Sequence, residues 1–301
     1  MNRVGLSVLF IAELLYLGVA YYILNEYGHL PAPFFFDVSD TFMDLYNTLY
    51  WSWHDGRYDL WSSIYPMFPF WLVNATSSIE CLERVNEPFG LRECDTWPIF
   101  WLFSAYTLGC LFIALGFVKY ASSLGRSPRG LPFYGLLVFA TTLFAIPGLS
   151  ALERGNLIVY AFISLSVYSL KRQGLIASVA LAIAISVKQY LIILLYIPFV
   201  RRDFKAILIV LFSILLIQVF CLTAIPENHW DLLLSNMLNF NSLTQVSFFE
   251  KLWNPTSIFS WVKIFSGSPN VHDYLSDDQV ALISALLTIL GWTARIIFVL
   301  D

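Results

Sequence analysis

Apolar residues in this chain come in long unbroken runs, without the spacing of an amphipathic helix or the alternation of a strand. The runs at residues 4–25, 98–118, 131–150, 156–170, 206–225 and 280–299 carry few charges or none. Crossing a hydrocarbon core takes roughly 20 apolar residues in helical form, and backbone in lipid must satisfy its own hydrogen bonds. The pattern predicts an all-α polytopic membrane helix bundle, with residues 1–301 as a single transmembrane domain. Another apolar stretch, between Lys171 and Arg201, is interrupted only by Lys188-Gln189; it is long for one span and short for two. The run from Val4 to Leu24 follows Arg3 as a signal peptide would. It is too long for a signal core and no small-residue cleavage site follows, so it reads as a retained span.

The polar positions set the orientation. Lys119, Arg126 and Arg129 in 119–130, Lys171-Arg172, and Arg201-Arg202 with Lys205 are the basic clusters, and short basic connections stay cytoplasmic. Residues 26–97 hold eleven Asp/Glu against three Arg, and residues 226–279 six against two Lys, so both segments are read as extracytoplasmic loops. With 171–172 and 201–205 both inside, residues 174–200 must enter and return as a broken, re-entrant-like pair with Lys188 near the outer turn. That makes about eight crossings with both termini inside. A lysine at such depth costs ~2.5–3.5 kcal/mol on insertion scales and marks an anion or ion path. The plain alternative is a lysine snorkelling from one long span.

Composition agrees with this reading. Of 301 residues, 58% are apolar or aromatic and only 13% charged, with a mean hydropathy of +0.69, far from the balance of a water-soluble domain. Net charge is −4 and no basic run is long enough to follow a phosphate backbone, so nucleic acid is excluded as a partner and the lipid bilayer is the first one. Glu13, within the first span, is expected to face the bundle interior or to be protonated, and Cys110 and Cys221 to act as small hydrophobes. Cys81 and Cys94 share the first outer loop; an oxidising compartment would let them close it, and two free thiols are the alternative. No Walker loop, dinucleotide fingerprint or zincin helix is present, and His29, His54, His229 and His272 lack ligand spacing, so no metal site is expected.

Candidate chemistry gathers in the first loop. A helix starting near Asp40, which could cap it, would place Asp40, Asp44 and Asn47 on one face, with Phe42, Leu45, Leu49 and Trp53 on another that could lie in the membrane interface. Two carboxylates one turn apart repel, which raises one pKa toward that of a general base. The ordinary reading is a cap at Asp40 and a solvated Asp44. Beyond the turn signal Asp55-Gly56-Arg57-Tyr58, the Pro-bounded aromatic run from Trp61 to Phe70 suits the lining of a groove better than a helix.

The layout Asp40-Thr-Phe-Met-Asp44-Leu-Tyr-Asn47, then Asp55-Gly-Arg-Tyr58, then Tyr65-Pro66, resembles polytopic glycosyltransferases of the GT-C superfamily, specifically glycosyltransferase family 87. Glu153-Arg154-Gly155-Asn156 before a span, Lys171-Arg172, the small-residue helix 177–186, Lys188 and Arg201-Arg202 are similar to that family's second half. The resemblance runs from residue 35 to about residue 205. It implies a GT-C-like hexosyltransferase, often a mannosyltransferase of the cell envelope. Such an enzyme takes the sugar from a polyprenyl-phosphate carrier and passes it, with inversion, to a glycolipid or polysaccharide acceptor on the outer face. No cofactor beyond that donor is implied, with a divalent cation as the open alternative.

Carried over by position, Asp40 is the general base and Asp44 its neighbour. Lys188 and Arg154 are the cations for the departing phosphate, although a pair with Glu153 would equally account for Arg154. Asn47, Tyr65 and Asn156 complete the substrate-binding set, and His229 of the second outer loop is a further candidate. Trp51, Trp53 and Trp61 read mainly as headgroup anchors, with stacking on sugar faces as the alternative. The chain departs from the family pattern at Met67, where relatives carry a second proline. It also stops at Asp301, where relatives run longer, which implies a truncated form. A bacterial inner membrane with a periplasmic site is the expected location and the endoplasmic reticulum the alternative. A lipid-linked saccharide transporter or flippase, or a non-catalytic scaffold, are the competing functions.

Overall fold

The computed structural model describes residues 3–31, 33–35, 37–54, 56–124, 130–171, 173–224 and 231–236, and all regular structure among them is helical. His229, the rest of the loop 226–279, the span 280–299, Asp55, Arg126, Arg129 and Arg172 lie outside the described residues. The long apolar runs become α1 (Arg3–Tyr27), α6 (Trp97–Ser123) and α12 (Phe204–Ala224). Between α1 and α6 a cap of short helices forms: α2 (Met43–Trp53), α3 (Met67–Asn74), α4 (Ile79–Arg84) and α5 (Pro88–Cys94). After α6 follow α7 (Leu131–Leu143), α8 (Ile146–Glu153), α9 (Ile158–Lys171), α10 (Leu175–Val187), a 3-10 helix (Gln189–Leu195) and α11 (Tyr196–Val200). Helices α5 to α8 each carry proline in their first two positions, where the missing N–H has no intrahelical acceptor and the fixed φ suits the first turn.

Packing runs α7 on α6 on α9 on α10 on α12, with α2 resting on α3 and α5, and α3 on α12. Small residues allow the close approaches. A Cβ at Gly109 would meet the Phe162 ring at 2.6 Å, and α10 buries Ala177, Ala180, Ala182 and Ala184, the interface chemistry of helices that cannot rely on a hydrophobic drive in lipid. The main core joins Leu45, Tyr46 and Leu49 of α2 to Phe70 and Val73 of α3, Leu91, Leu102, Leu157 and Val187. By contrast α1, α6 and α12 present exposed rows such as Val8, Leu15, Phe103, Leu111, Phe212 and Leu215, which suit a hydrocarbon surrounding.

Three helical segments, Ser7–Tyr27, Trp97–Ser123 and Phe204–Leu222, are long and apolar enough to cross a membrane, and α7 with α8, bent by 46°, would make a fourth. The expected eight crossings are not reached among the described residues. Helix α9 has 14 residues and α10 has 13, short of the roughly 20 that a span needs. The expected continuous span 131–150 is divided because Pro147 opens α8 and the Tyr106 hydroxyl donates to Thr142 O and Leu143 O (2.8 and 3.2 Å). At Lys188 the chain breaks where the lone charge predicted: α10 stops at Val187, Lys188 is extended (φ −136°, ψ 101°), and a 3-10 helix follows.

The first loop differs most from expectation. Asp40 neither caps α2 nor lies on it. Asp37 instead caps a 3-10 turn over Val38–Asp40, its Oδ1 accepting from Ser39 N at 2.8 Å. The chain then turns through Phe42 in a left-handed conformation (φ 65°) before α2 begins at Met43. The expected face of Asp40, Asp44 and Asn47 is thus reduced to Asp44 and Asn47. Leu45 and Leu49 are covered by protein and do not form a membrane-facing stripe. The aromatic run 61–70 stays outside regular structure only as far as Pro66, with Ser62 at φ 48°, after which α3 buries Met67, Phe68, Pro69 and Phe70. Cys81 and Cys94 are bonded, with a Cα–Cα distance of 5.8 Å, tying α4 to α5. Glu13 is buried, as expected for the first span, and so are the free thiols Cys110 and Cys221.

Candidate functional site

The first turn of a helix leaves backbone N–H groups without intrahelical partners, and two at the start of α2, from its cap Phe42 and from Asp44, meet the end of α8. Phe42 N–H donates to Glu153 O at 2.7 Å and Asp44 N–H to Arg154 O at 3.0 Å. Such closeness requires Gly155, which sits at φ +71° and where a Cβ would lie 2.7 Å from Leu45 Cβ and 2.8 Å from Phe42 O. Glu153 secures the preceding chain, accepting from Phe35 N–H and from the Thr41 hydroxyl, both at 3.2 Å. Asn156 closes the joint: its Oδ1 accepts from Ile158 N–H at 3.0 Å, capping α9, and its Nδ2 reaches Asp44 Oδ2 at 3.4 Å.

Asp44 is therefore held at the junction of α2, α8 and α9. Burial lifts its pKa above the ordinary carboxylate value, and Arg154, Lys188 and the Asn156 hydrogen bond pull it back without cancelling that rise. Lys188 arrives from the α10 break. It is 9% exposed, donates from Nζ to the Tyr65 hydroxyl at 3.0 Å, and lies 4.3 Å from the centre of that ring. Gln189 Nε2 donates to Ile64 O, so the break docks on the irregular segment before α3. Burial, with Asp44 and Tyr190 nearby, pushes the Tyr65 phenol up, so Tyr65 remains an O–H at neutral pH. Arg154 donates to Pro33 O at 3.3 Å and its guanidinium stands 4.4 Å over the Phe35 ring; it makes no ion pair with Glu153. The result is a carboxylate within electrostatic reach of two cations, with the Asn156 amide on the carboxylate and the Tyr65 phenol on Lys188.

Residues 88–300 match the sequence model of glycosyltransferase family 87. The chain belongs to glycosyltransferase family 87. It is accordingly a glycosyltransferase with membrane helices, and a sugar donor, an acceptor and the bilayer are its general partners. No curated protein and no solved structure matches it. The family match includes Arg154, Asn156 and Lys188, whereas Asp40, Asp44, Asn47 and Tyr65 precede it in the sequence. The fold nonetheless brings Asp44 and Tyr65 to the matched cations.

Of the residues expected at the site, Asp44, Asn156, Arg154, Lys188 and Tyr65 come together, and Asn47 lies one turn further along α2. Asp40 is exposed on the preceding 3-10 turn, and its carboxylate has no partner among the described residues. His229 lies outside them. Sequence reasoning treated Glu153 only as a possible mate for Arg154 and missed its role as a clamp. The visible signal was Gly155 directly after Glu153-Arg154 and before a helix start, a place where a positive φ and close backbone approach are common.

Proposed function

We propose that this family 87 enzyme moves a hexose, mannose in the first instance, from a polyprenyl-phosphate carrier to a glycan or glycolipid acceptor, using Asp44 as general base. The supporting observation is the placement of Asp44, half-buried and hydrogen-bonded to Asn156, opposite Lys188 and Arg154. In this reading the acceptor hydroxyl passes its proton to the Asp44 carboxylate while its oxygen attacks the anomeric carbon. The bond from that carbon to the phosphate oxygen breaks with inversion, and the carrier phosphate leaves with the electron pair. Charge grows on the phosphate as the bond breaks. Lys188 as a point charge, Arg154 as a fork and the Tyr65 O–H as a donor then act more strongly in the transition state than in the bound donor. Asp40 is assigned no proton transfer, because it stands in solvent away from this cluster.

The reaction invokes no cofactor beyond the lipid-linked donor. The Cys81–Cys94 bond supports placing the cap in an oxidising compartment, which with the acidic first loop favours the periplasmic face of a bacterial inner membrane. Purified enzyme incubated with radiolabelled polyprenyl-phosphate hexoses and an extracted acceptor pool tests the reading. Label is expected to leave the lipid fraction for the acceptor; transfer from nucleotide sugars alone would overturn it.

A further inference from the structure

Helix α2 carries more than the carboxylate. Its Leu45, Tyr46, Thr48, Leu49 and Ser52 are buried, whereas Asp44, Asn47 and Trp51 are half-buried and follow one another at i, i+3 and i+7. They form a single strip that runs about 10 Å along the helix at 1.5 Å per residue. Asn47, in the middle, has a side-chain amide with no hydrogen-bond partner among the described residues. At the far end Trp51 stacks on Trp61 (centroids 6.1 Å apart, 16° between planes), and Trp61 meets Tyr50 edge-on at 5.6 Å.

The platform is braced from behind. Arg57 is buried and donates to Trp51 O and Ser52 O at 3.2 and 3.3 Å. Trp61 N–H donates to Gly56 O at 3.1 Å, and Asn236 Nδ2 holds Tyr58 O and Ser63 O. A bilayer anchor needs only exposed apolar side chains, as Trp53 and Leu60 nearby provide. Half-buried, mutually stacked rings on a stapled loop, in line with an unpaired amide and a carboxylate, suit a ligand with flat apolar faces and a hydroxyl rim.

We propose that this strip is the acceptor subsite and that the acceptor is an oligosaccharide chain. Its terminal hydroxyl meets Asp44, Asn47 bonds a hydroxyl of the terminal or adjacent sugar, and a more distant sugar stacks on the Trp51–Trp61 pair. The assignment rests on Asp44 being the general base of the transfer. It departs from the headgroup-anchor role that residue type alone suggests for these tryptophans.

Two measurements on the full-length enzyme in detergent test it. Saturation-transfer NMR without donor should show mannotriose bound by wild type more strongly than methyl mannoside, with the inner-sugar signals lost in Trp61→Ala and weakened in the milder Asn47→Ala. With polyprenyl-phosphate mannose as donor, kcat/KM should rise from methyl mannoside to mannotriose, and Trp61→Ala should reduce that ratio about tenfold, the scale of one aromatic contact, with the KM for donor retained. Equal binding of the two probes by wild type, or a length dependence that survives in Trp61→Ala, overturns the subsite. Mannotriose binding left intact in Trp61→Ala makes the pair an anchor and also overturns it. Failure of transfer with the binding pattern preserved would instead refute the catalytic reading and leave the saccharide strip standing.

Discussion

Gly155 tests whether α2 must touch the α8–α9 joint for the site to exist. Alanine there meets two separate penalties. The backbone lies at φ +71°, and an L-residue in the left-handed region costs about 1–2 kcal/mol. The new Cβ would also stand 2.7 Å from Leu45 Cβ, 2.8 Å from Phe42 O and 3.0 Å from Leu45 N. Two of those atoms are backbone, so α2 itself must move, and overpacking of this kind costs about 1–3 kcal/mol more. The sum, about 2–5 kcal/mol, falls on the hydrogen bonds from Phe42 and Asp44 to Glu153 and Arg154, and a displacement of about 1 Å at a reacting group can cost ~10²-fold in rate.

Gly174 is an internal control for turnover, since it too requires glycine (φ +89°, ψ −178°) but has nothing within 4 Å of an added Cβ. Its alanine variant should lose only the dihedral share of stability and keep full turnover. Thermal denaturation of both variants in the same detergent gives the stability loss of each, and turnover at saturating donor and acceptor separates loss of the joint from a backbone cost remote from the site. If Gly155→Ala matches Gly174→Ala in turnover, the joint does not position Asp44 and the reasoning fails.

Three further outcomes follow from the same geometry. Because burial outweighs the neighbouring cations at Asp44, kcat/KM should fall as pH drops through a pKa above the ordinary carboxylate range, since the base is active only when ionised; a limb at or below that range would count against Asp44. Lys188→Met should lower turnover and weaken carrier binding with acceptor affinity retained. It should also shift the acidic limb to higher pH, because Lys188 pulls the Asp44 pKa down; loss of acceptor affinity alone would assign Lys188 to the other substrate. Replacing Cys81 and Cys94 with serine opens a loop of sequence separation 13 and should cost about 3 kcal/mol by the chain-entropy account. Thermal denaturation would show this, with reductant reproducing the loss in wild type.

Much of the architecture was legible because lipid imposes one simple demand, a long apolar helix, and α1, α6 and α12 meet it. Lys188 was legible for the complementary reason, since a charge inside an apolar run marks a break. The bend between α7 and α8 was missed although Pro147 announced it, because hydropathy averages over a single proline. The shared face of Asp40 and Asp44 was not met because helical spacing from Asp40 to Asp44 assumed a continuous helix. The left-handed turn at Phe42 that ends this register involves a residue type that rarely adopts it, so no local signal predicted it. Nor could sequence show that Asn156 and Asp44, 112 residues apart, meet, since their contact depends on α2 docking over Gly155.

The central claim is that Asp44, and not Asp40, takes the acceptor proton. The direct measurement is single-turnover transfer at saturating donor and acceptor for Asp44→Asn and Asp40→Asn side by side, with donor binding recorded for each. Asp44→Asn retains the shape and an amide for Asn156, so it should bind donor while losing ~10²–10⁴ of the rate, and Asp40→Asn should turn over within a fewfold of wild type. Near-normal transfer by Asp44→Asn, or a collapse of rate confined to Asp40→Asn, would contradict the account.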